Sequence, residues 1–387
     1  MTGAGLATIA VAAGASLFTA WVIGAGSTGS TPFAPAVGAN AISVMRAGFY
    51  VGILGFAGAV LQGANVSQAI GSGLIHGVAL TPLAATVVLV VGASLVAVGV
   101  FTGYPIATAF TITGAVVGVG LALGGDPAWG KYRQIAALWI AVPFVGGGFA
   151  FATTRTLKHS DRERLTVPGL GALVGAILAN VKFTLLGPGR TQRSIAQVAA
   201  ASVEGGIVVV GLATAALALT IAAAVRWDVS RGPAGAKRRF LVALGSLVAF
   251  SAGGSQVGLA VGPLLPLLGG RVPVTSVLVG GGLGLLVGSW TSATRMIKAV
   301  SQDYSSLGPN RSIAALIPAF VIAQVAVFFG IPVSFNEIVV SSIVGSGMAV
   351  GASGVSRRKM GYTVAAWVAS LALAFGVSYG VAVFRFA

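Results

Sequence analysis

Small hydroxyl side chains cluster in an uncharged stretch near the start of the chain, in a pattern that suits anion binding. The stretch GAGSTGSTPFAPAVGANAIS, residues 24–43, places glycines and prolines around Ser27, Thr28, Ser30 and Thr31. Hydroxyl groups donate hydrogen bonds to an oxyanion, and a helix that starts at such a break adds free N–H groups and the positive end of its dipole. The alternative is that these hydroxyls only cap a helix or form a turn.

Polar residues recur in three later stretches that are otherwise apolar. These stretches read FSAGGSQVGLAVGPL from Phe250, YPIATAF from Tyr104 and IPVSFNE from Ile331. We expect them to add ligands to the same substrate site, namely Ser255, Gln256, Thr108, Ser334 and Asn336. A polar helix start is the alternative for the last three residues.

Glu337 is the only acidic residue in any of these stretches. An ionisable side chain within a membrane span costs about 2.5 to 3.5 kcal/mol on insertion scales, and it needs a partner or water. Glu337 therefore either carries a proton or is an acid at a helix N-terminus, stabilised by the helix dipole. Glu204, near one end of another apolar run, is expected to be structural.

Membrane-spanning helices are the elements that must position these residues. The chain is 56% hydrophobic and 8% charged, and its mean hydropathy is +0.97, values outside the range of soluble domains. Residues 47–125 contain no Asp, Glu, Lys or Arg, and the alternation typical of membrane β-barrels is absent. Since about 20 apolar residues cross a bilayer as a helix, the sequence predicts an all-α polytopic membrane protein of about twelve spans, the first over residues 5–24.

Several function classes lack support in the sequence. The chain has no cysteine and two separate histidines, His76 and His159, so no metal site is predicted. No Ser/His, paired-Asp or His/Glu arrangement favours an enzyme, and no phosphate-binding loop motif favours ATP hydrolysis. The basic residues lie in short loops between apolar runs, where membrane topology explains them better than nucleic acid does. We expect the lipid bilayer as the environment and no cofactor beyond a coupling ion, Na⁺ or H⁺.

The basic residues are divided unevenly between the two predicted sides of the membrane. With twelve crossings, alternate junctions hold 16 basic residues on one side and 7 on the other. The richer set is Arg46, Arg155, Lys158, Arg162, Arg164, Arg226, Arg231, Lys237, Arg238, Arg239, Arg295, Lys298, Arg311, Arg357, Arg358 and Lys359. Because the side richer in Lys and Arg faces the cytoplasm, we expect a multi-pass protein of the cell membrane with both termini outside.

Two parts of the chain resemble each other in the order of their features. From Gly58 and again from Gly288, a glycine-led span is followed by a polar loop, another span and a Pro-Ile or Pro-Val turn. A glycine-spaced helix, a basic loop and a span containing Trp139 or Trp367 come next. The copies are seven predicted spans apart, so they cross the membrane in opposite directions, as in the inverted repeats of secondary transporters.

This duplication predicts the division of the chain. We expect a first inverted repeat over residues 1–154, a connector with two spans and basic loops over 155–238, and a second inverted repeat over 239–387. In each repeat, a glycine-rich break at the midplane is tolerated only where it is buried in protein or lines a polar cavity. We expect the stretches from Gly24 and from Phe250 to form these two breaks and to face each other across one site.

In these motifs the chain resembles the inorganic phosphate transporter (PiT) family. The family signature G-A-N-D-x-A-N-A aligns without gaps from Phe250 to Pro263, and with one inserted residue in the first copy. The family turn P-V-S-T-T-H is similar to the stretches from Tyr104 and from Ile331. The likeness covers nearly the whole chain except roughly residues 155–235. It implies a phosphate carrier with cation coupling and a homodimer.

The departures from the family pattern bear on coupling. Where the family has Asp, this chain has Ser27 or Thr28 in the first copy and Gln256 in the second. Where the turn has His, it has Phe110 and Glu337. Loss of both signature carboxylates removes the anionic oxygens best suited to Na⁺ or to a transferable proton, which leaves Glu337 as the candidate coupling residue.

Three hypotheses follow from the sequence. The first is a cation-coupled secondary transporter of inorganic phosphate that works by alternating access, or a permease for another tetrahedral oxyanion such as sulfate. The second is an anion channel, which needs a continuous polar pathway. The third is an intramembrane enzyme, which the residues disfavour. The repeats and the polar breaks favour the carrier.

The orientation is testable because the chain has no cysteine of its own. Gly235 lies in the basic loop of residues 226–239, which we expect to face the cytoplasm. A cysteine introduced by Gly235→Cys should resist an impermeant thiol reagent in intact cells and react after the membrane is permeabilised. Labelling in intact cells would reverse the predicted topology.

Overall fold

Apolar runs of the chain form long helices, because backbone groups within lipid must be paired inside their own segment. The computed structural model describes residues 3–158, 160–187, 192–203, 206–351 and 355–386. In this part of the chain, nine helices are long and apolar enough to cross a membrane, and shorter apolar helices cover 108–122 and 164–180. The all-helical class is confirmed, while the count of twelve spans stays a prediction.

The elements follow one another as a chain of helices with two very short strand pairs. The first eight helices are α1 (Gly3–Ile23), α2 (Ala34–Gly38), α3 (Val44–Gln62), α4 (Ala64–Ser72), α5 (Pro82–Thr102), α6 (Thr108–Ala122), α7 (Trp129–Leu157) and α8 (Ser160–Asn180). The others are α9 (Ile195–Ser202), α10 (Gly206–Arg231), α11 (Pro233–Val261), α12 (Leu265–Leu268), α13 (Val274–Gln302), α14 (Pro309–Phe329), α15 (Phe335–Met348) and α16 (Arg357–Phe386). The strands are β1 (Ile75–His76), β2 (Asp126–Pro127), β3 (Lys182–Phe183) and β4 (Arg193–Ser194).

The break expected after α1 is present. The helix widens into one π-helical turn, Gly24–Thr28, where Gly29 N donates to Gly24 O at 2.8 Å. The backbone then turns through residues 29–33 before the short α2. Ser43 caps α3 by accepting a hydrogen bond from the backbone N–H of Arg46 at 3.4 Å.

The second expected break is wrong. Helix α11 runs without interruption from Phe250 to Val261, and only Gly262–Leu264 tightens into a 3₁₀ turn. The glycines of this stretch serve packing instead. A side chain at Gly253 would meet the backbone of Gly55 on α3, and one at Gly258 would meet Val66 on α4. Small residues here let helices approach closely, as is typical within membranes.

Two helical hairpins enter the molecule from opposite ends of α7. Strands β1 and β2 pair antiparallel, which joins the segment before α5 to the segment after α6 beside the start of α7. At the other end of α7, Asn310 Nδ2 donates to Leu157 O at 3.1 Å and Lys158 Nζ donates to Ala349 O at 2.8 Å. The hairpin α14–α15 therefore begins and ends at the opposite face from the hairpin α5–α6.

The short helix of each hairpin packs against a long helix that is distant in sequence. Helix α6 lies on α16, where Gly114 and Gly118 meet the backbone at Leu371 and Phe375, and α15 lies on α7. In the same crosswise way α1 packs on α13 and α11 packs on α3. The first and last parts of the chain thus interlock rather than forming two separate lobes.

Helices α8 and α10 stand outside this interlocked part and pack on each other. Asn180 Nδ2 donates to Thr214 Oγ1 at 2.9 Å across their interface. Helix α10 has no buried residue in the described part of the chain, which suits a helix that faces lipid. The domain boundaries at 154 and 238 stay predictions, and His159, Arg190 and Glu204 lie outside the described residues.

Candidate functional site

The turn of the first hairpin is open backbone, and distant side chains pair its carbonyl groups. In residues 103–107, Pro105 O accepts a hydrogen bond from Trp367 Nε1 at 2.7 Å. The next carbonyl, Ile106 O, accepts one from Asn336 Nδ2 at 2.7 Å. An indole from α16 and an amide from α15 thus satisfy backbone groups that neither helix of the hairpin can reach.

The carbonyl groups of the second hairpin turn are also paired by an indole and an amide, and here only the indole comes from the other half of the chain. In residues 330–334, Pro332 O accepts a hydrogen bond from Trp139 Nε1 at 2.9 Å. The next carbonyl, Val333 O, accepts one from Gln256 Nε2 at 2.7 Å. Here the indole comes from α7 and the amide from α11.

Gln256 joins four of the expected segments through its side-chain amide. Its Oε1 accepts hydrogen bonds from Ser27 Oγ at 3.2 Å and from Thr108 Oγ1 at 2.7 Å. Its Nε2 donates to Val333 O and, more weakly, to Ser255 Oγ at 3.4 Å. Both lone pairs and both N–H groups of the amide are therefore used.

The other hydroxyl groups of the first break bond within the break itself. Ser30 Oγ and Thr31 Oγ1 donate to Ser27 O at 3.2 and 3.1 Å. Asn336 Nδ2 also donates to Gly26 O at 3.0 Å, which ties the break to α15. In this state Ser30 and Thr31 shape the turn, whereas Ser27 faces the other segments.

The start of α15 carries both a cap and an acid. Ser334 caps the helix by accepting a hydrogen bond from Glu337 N at 3.4 Å. Glu337 is 2% exposed, and its Oε2 has no hydrogen-bond partner in the described part of the chain. The same holds for Asn336 Oδ1 and for Thr28 Oγ1. Buried oxygens without partners are rare; a proton would satisfy the Glu337 carboxylate, and a hard cation such as Na⁺ would suit any of these three oxygens.

All ten expected site residues are closed off from solvent. Nine are completely buried, and the tenth is Glu337. The structure brings together Ser27, Thr108 and Ser255 by direct hydrogen bonds to Gln256. Asn336 is joined only to the backbone next to two of them, at Gly26 O and Ile106 O. No group of three or more His, Cys, Asp or Glu residues that could hold a metal ion occurs among the described residues.

Each hairpin tip is also held by a lysine at the face that it reaches. Lys359 Nζ lies 4.0 Å from the centroid of the Tyr104 ring and 3.0 Å from Asp303 Oδ2. At the other face, Lys131 Nζ donates to Phe329 O at 3.4 Å. Each tip therefore contacts a lysine of a long helix, Lys359 of α16 or Lys131 of α7.

Tyr304 supports the first of these contacts. Its hydroxyl shares a 2.7 Å hydrogen bond with Thr363 Oγ1 on α16. Burial raises the pKa of Tyr304, so the hydroxyl stays protonated at neutral pH. The pair fixes the loop after α13, which carries Asp303, against the start of α16.

Sequence reasoning missed a second buried polar group next to the site. Gln324 Nε2 donates to Ser251 Oγ at 2.6 Å and to Gln62 Oε1 at 3.3 Å. Ser251 lies one helical turn before Ser255 on α11. The sequence signal for this group was a single amide side chain within an apolar span, because a polar side chain in a membrane interior needs a partner.

Comparison with known proteins agrees with this architecture. A model of the phosphate transporter family matches residues 23–378. The chain is 27% identical to the protein named "Putative phosphate permease" of Thermococcus kodakarensis, over 93% of each chain. It is 24% identical to "Inorganic phosphate transporter 2-1, chloroplastic" of Arabidopsis thaliana, over 92% of this chain and 68% of that protein.

A solved structure shares the fold. It is named "The sodium-dependent phosphate transporter" and matches with a TM-score of 0.82 and 21% identity, over 97% of this chain and 98% of the other. The match of the family over most of the chain identifies the protein at the level of family. The chain belongs to the phosphate transporter family.

Proposed function

We propose that the protein is a cation-coupled secondary transporter that moves inorganic phosphate across the cell membrane by alternating access. The observation that carries this proposal is the buried polar centre around Gln256, built where two hairpins from opposite faces meet. Hydroxyl and amide groups at this centre can donate to phosphate oxygens once they turn away from one another. The family of the chain supports phosphate as the substrate.

The closed state of the site supports a carrier over a channel. A channel requires a continuous polar pathway, whereas here nine of the ten site residues have no exposed surface. The crosswise packing of α6 on α16 and of α15 on α7 supports the inverted repeat, because equivalent helices exchange places. Opening one hairpin tip at a time would expose the centre to one face at a time.

The charge distribution supports an orientation for this carrier. One end of the molecule carries a group of basic residues, and we call this end the basic face. The group consists of Arg46, Lys158, Arg238, Arg311 and Lys359. We propose that the basic face is cytoplasmic and that both termini lie outside.

Glu337 is proposed as the coupling residue, with a proton as its cation. A buried carboxylate without a cation beside it is costly, and Oε2, which has no partner among the described residues, is a place for a proton. Phosphate repels a charged carboxylate nearby, so protonation and phosphate binding should favour each other, by a coupling typically worth about 1 to 3 kcal/mol. Sodium is the alternative, which the sodium dependence in the name of the solved relative supports.

The central site predicts a graded effect of substitutions on α11. Gln256→Ala removes four hydrogen bonds and should weaken phosphate binding about five- to hundredfold, from roughly 1 to 3 kcal/mol per unpaired partner. Ser255→Ala should do less, because Ser255 contributes one bond of 3.4 Å. Equilibrium binding of radiolabelled phosphate to purified protein measures both. The control is Ser246→Ala, which loses only a bond to Val242 O within its own helix turn. If a folded Ser255→Ala/Gln256→Ala variant binds phosphate as the wild type does, the binding site lies elsewhere.

Uptake into proteoliposomes tests transport and coupling together. The wild type should accumulate radiolabelled phosphate, measured beside sulfate, when a proton or sodium gradient is imposed. Glu337→Gln keeps the shape of the side chain and removes its titration, so it should retain phosphate exchange and lose gradient-driven accumulation. Asp126→Asn, at the exposed strand β2, should behave as wild type. Accumulation by Glu337→Gln with the wild-type pH dependence would assign Glu337 to helix capping alone.

A further inference from the structure

A cavity of about 320 Å³ lies on the basic face, where the ends of α7, α11 and α14 meet. Its lining includes one cation from the end of each helix, namely Lys158, Lys237 and Arg311. None of its described lining residues is acidic. The cavity therefore suits an anion, and three cations suit one with more than a single negative charge.

Thr154 places a buried hydroxyl group in this cavity without a protein partner. It is 2% exposed, and its Oγ1 makes no hydrogen bond within the described part of the chain. Since buried hydroxyl groups almost always have partners, this one leaves a hydrogen-bonding group for an oxygen atom of a ligand.

The cations of the cavity are held in position by protein groups. Lys158 Nζ donates to Ala349 O at 2.8 Å, and Arg311 Nη1 donates to Ser306 Oγ at 3.2 Å. These bonds leave further N–H donors on both side chains, because an ammonium group has three and a guanidinium group has five. The site is thus built by the fold and retains donors for a ligand.

Another unpaired hydroxyl lies between this cavity and the central site. Ser341 is one helical turn beyond Glu337 on α15, and its buried Oγ lacks a partner in the described chain. Gly147 of α7 approaches the backbone of α15 at Ser341. Thr154 follows Gly147 by seven residues, about 10 Å along α7. Within the described residues, the buried hydroxyl groups of Ser341 and Thr154 without partners thus lie on the side of the central site that faces the cavity.

A second basic cavity on the same face lacks these features. It has a volume of about 590 Å³ and is lined by Arg46, Arg238 and Arg239. Arg239 pairs with Asp228, and Arg238 Nε donates to Ala41 O at 2.9 Å. None of its described lining residues has a buried polar atom without a partner. Both cavities are basic, and only the first has a buried hydroxyl group without a described partner. A substitution in the second cavity therefore controls for the effect of basic charge alone.

We propose that the cavity at Thr154 is a binding site for a phosphate group, separate from the central site. Free inorganic phosphate that passes between the central site and the cytoplasm is one source of this group, and an anionic phospholipid head group is the other. The first source rests on the proposed transport function, whereas the chemistry of the cavity does not.

Equilibrium binding of radiolabelled phosphate to the full chain in phosphatidylcholine nanodiscs tests the free-phosphate source. We expect two components. Thr154→Val keeps the side-chain volume and should weaken one component about tenfold, and Arg311→Gln should weaken it further. Thr154→Ser and Arg46→Gln should bind as wild type. Thr154→Val should not lower the melting temperature, because it removes an unpaired buried hydroxyl.

Two further arms separate the outcomes. Gln256→Ala should weaken the other component; if it does not, the proposed central site fails while Thr154→Val still decides the cavity. Nanodiscs with phosphatidylglycerol test the lipid source. Displacement of phosphate by this lipid in the wild type, with loss of lipid binding in Thr154→Val, assigns the cavity to head groups. Phosphate and phosphatidylglycerol binding that are both unchanged in Thr154→Val and Arg311→Gln would overturn the proposal.

Discussion

Open backbone inside a membrane protein must find hydrogen-bond partners in side chains, and this constraint governs the centre of the molecule. The two hairpin turns present four such carbonyl groups, on Pro105, Ile106, Pro332 and Val333. Two indoles and two amides reach them from segments distant in sequence. Each hairpin turn is therefore held by segments distant in sequence, and the bond from Asn336 to Ile106 O must break when one hairpin moves away from the other.

The groups that close the centre are the same groups that suit a phosphate ion. Gln256, Ser27 and Thr108 satisfy one another in the closed state, so at the proposed site an incoming oxyanion would exchange these bonds for its own. The hydrogen bonds lost between the side chains would be about as many as those gained to the anion. Such a balance suits a carrier, because a carrier must also release its substrate. The oxygens of Asn336 and Glu337 that have no partner in the described part of the chain favour a cation over a second anion at this point.

The class, the family and the polar segments could be predicted from the sequence, because composition and motif order are local properties. The continuity of α11 through Phe250–Val261 could not, since the same glycines that permit a break also permit close contact with α3. The sequence also could not predict that Gln62 pairs with Gln324 or that the indoles donate hydrogen bonds to the hairpin turns. These contacts depend on which helices cross, and the periodicity of an apolar run carries no information about its neighbours.

In the proposed mechanism, alternating access depends on motion of the hairpin tips. Lys359 holds the tip of α5–α6 through Tyr104 and Asp303, and Lys131 holds the tip of α14–α15 at Phe329. An ion pair and a cation–π contact together contribute about 1 to 2 kcal/mol at partly exposed sites. Losing one clamp should therefore shift the balance between the two faces without unfolding the protein.

The most direct test is the accessibility of a cysteine at Thr28, whose buried hydroxyl has no partner to lose in the described chain. In the Thr28→Cys background, an impermeant thiol reagent applied to the basic face should label Lys359→Ala about fivefold faster than Lys359 itself. Lys359→Arg, which keeps the charge, should label slowly, and labelling of Lys359→Ala from the opposite face should not increase. Equal rates for Lys359 and Lys359→Ala, or faster labelling from both faces, would contradict the account of two opposed hairpin gates.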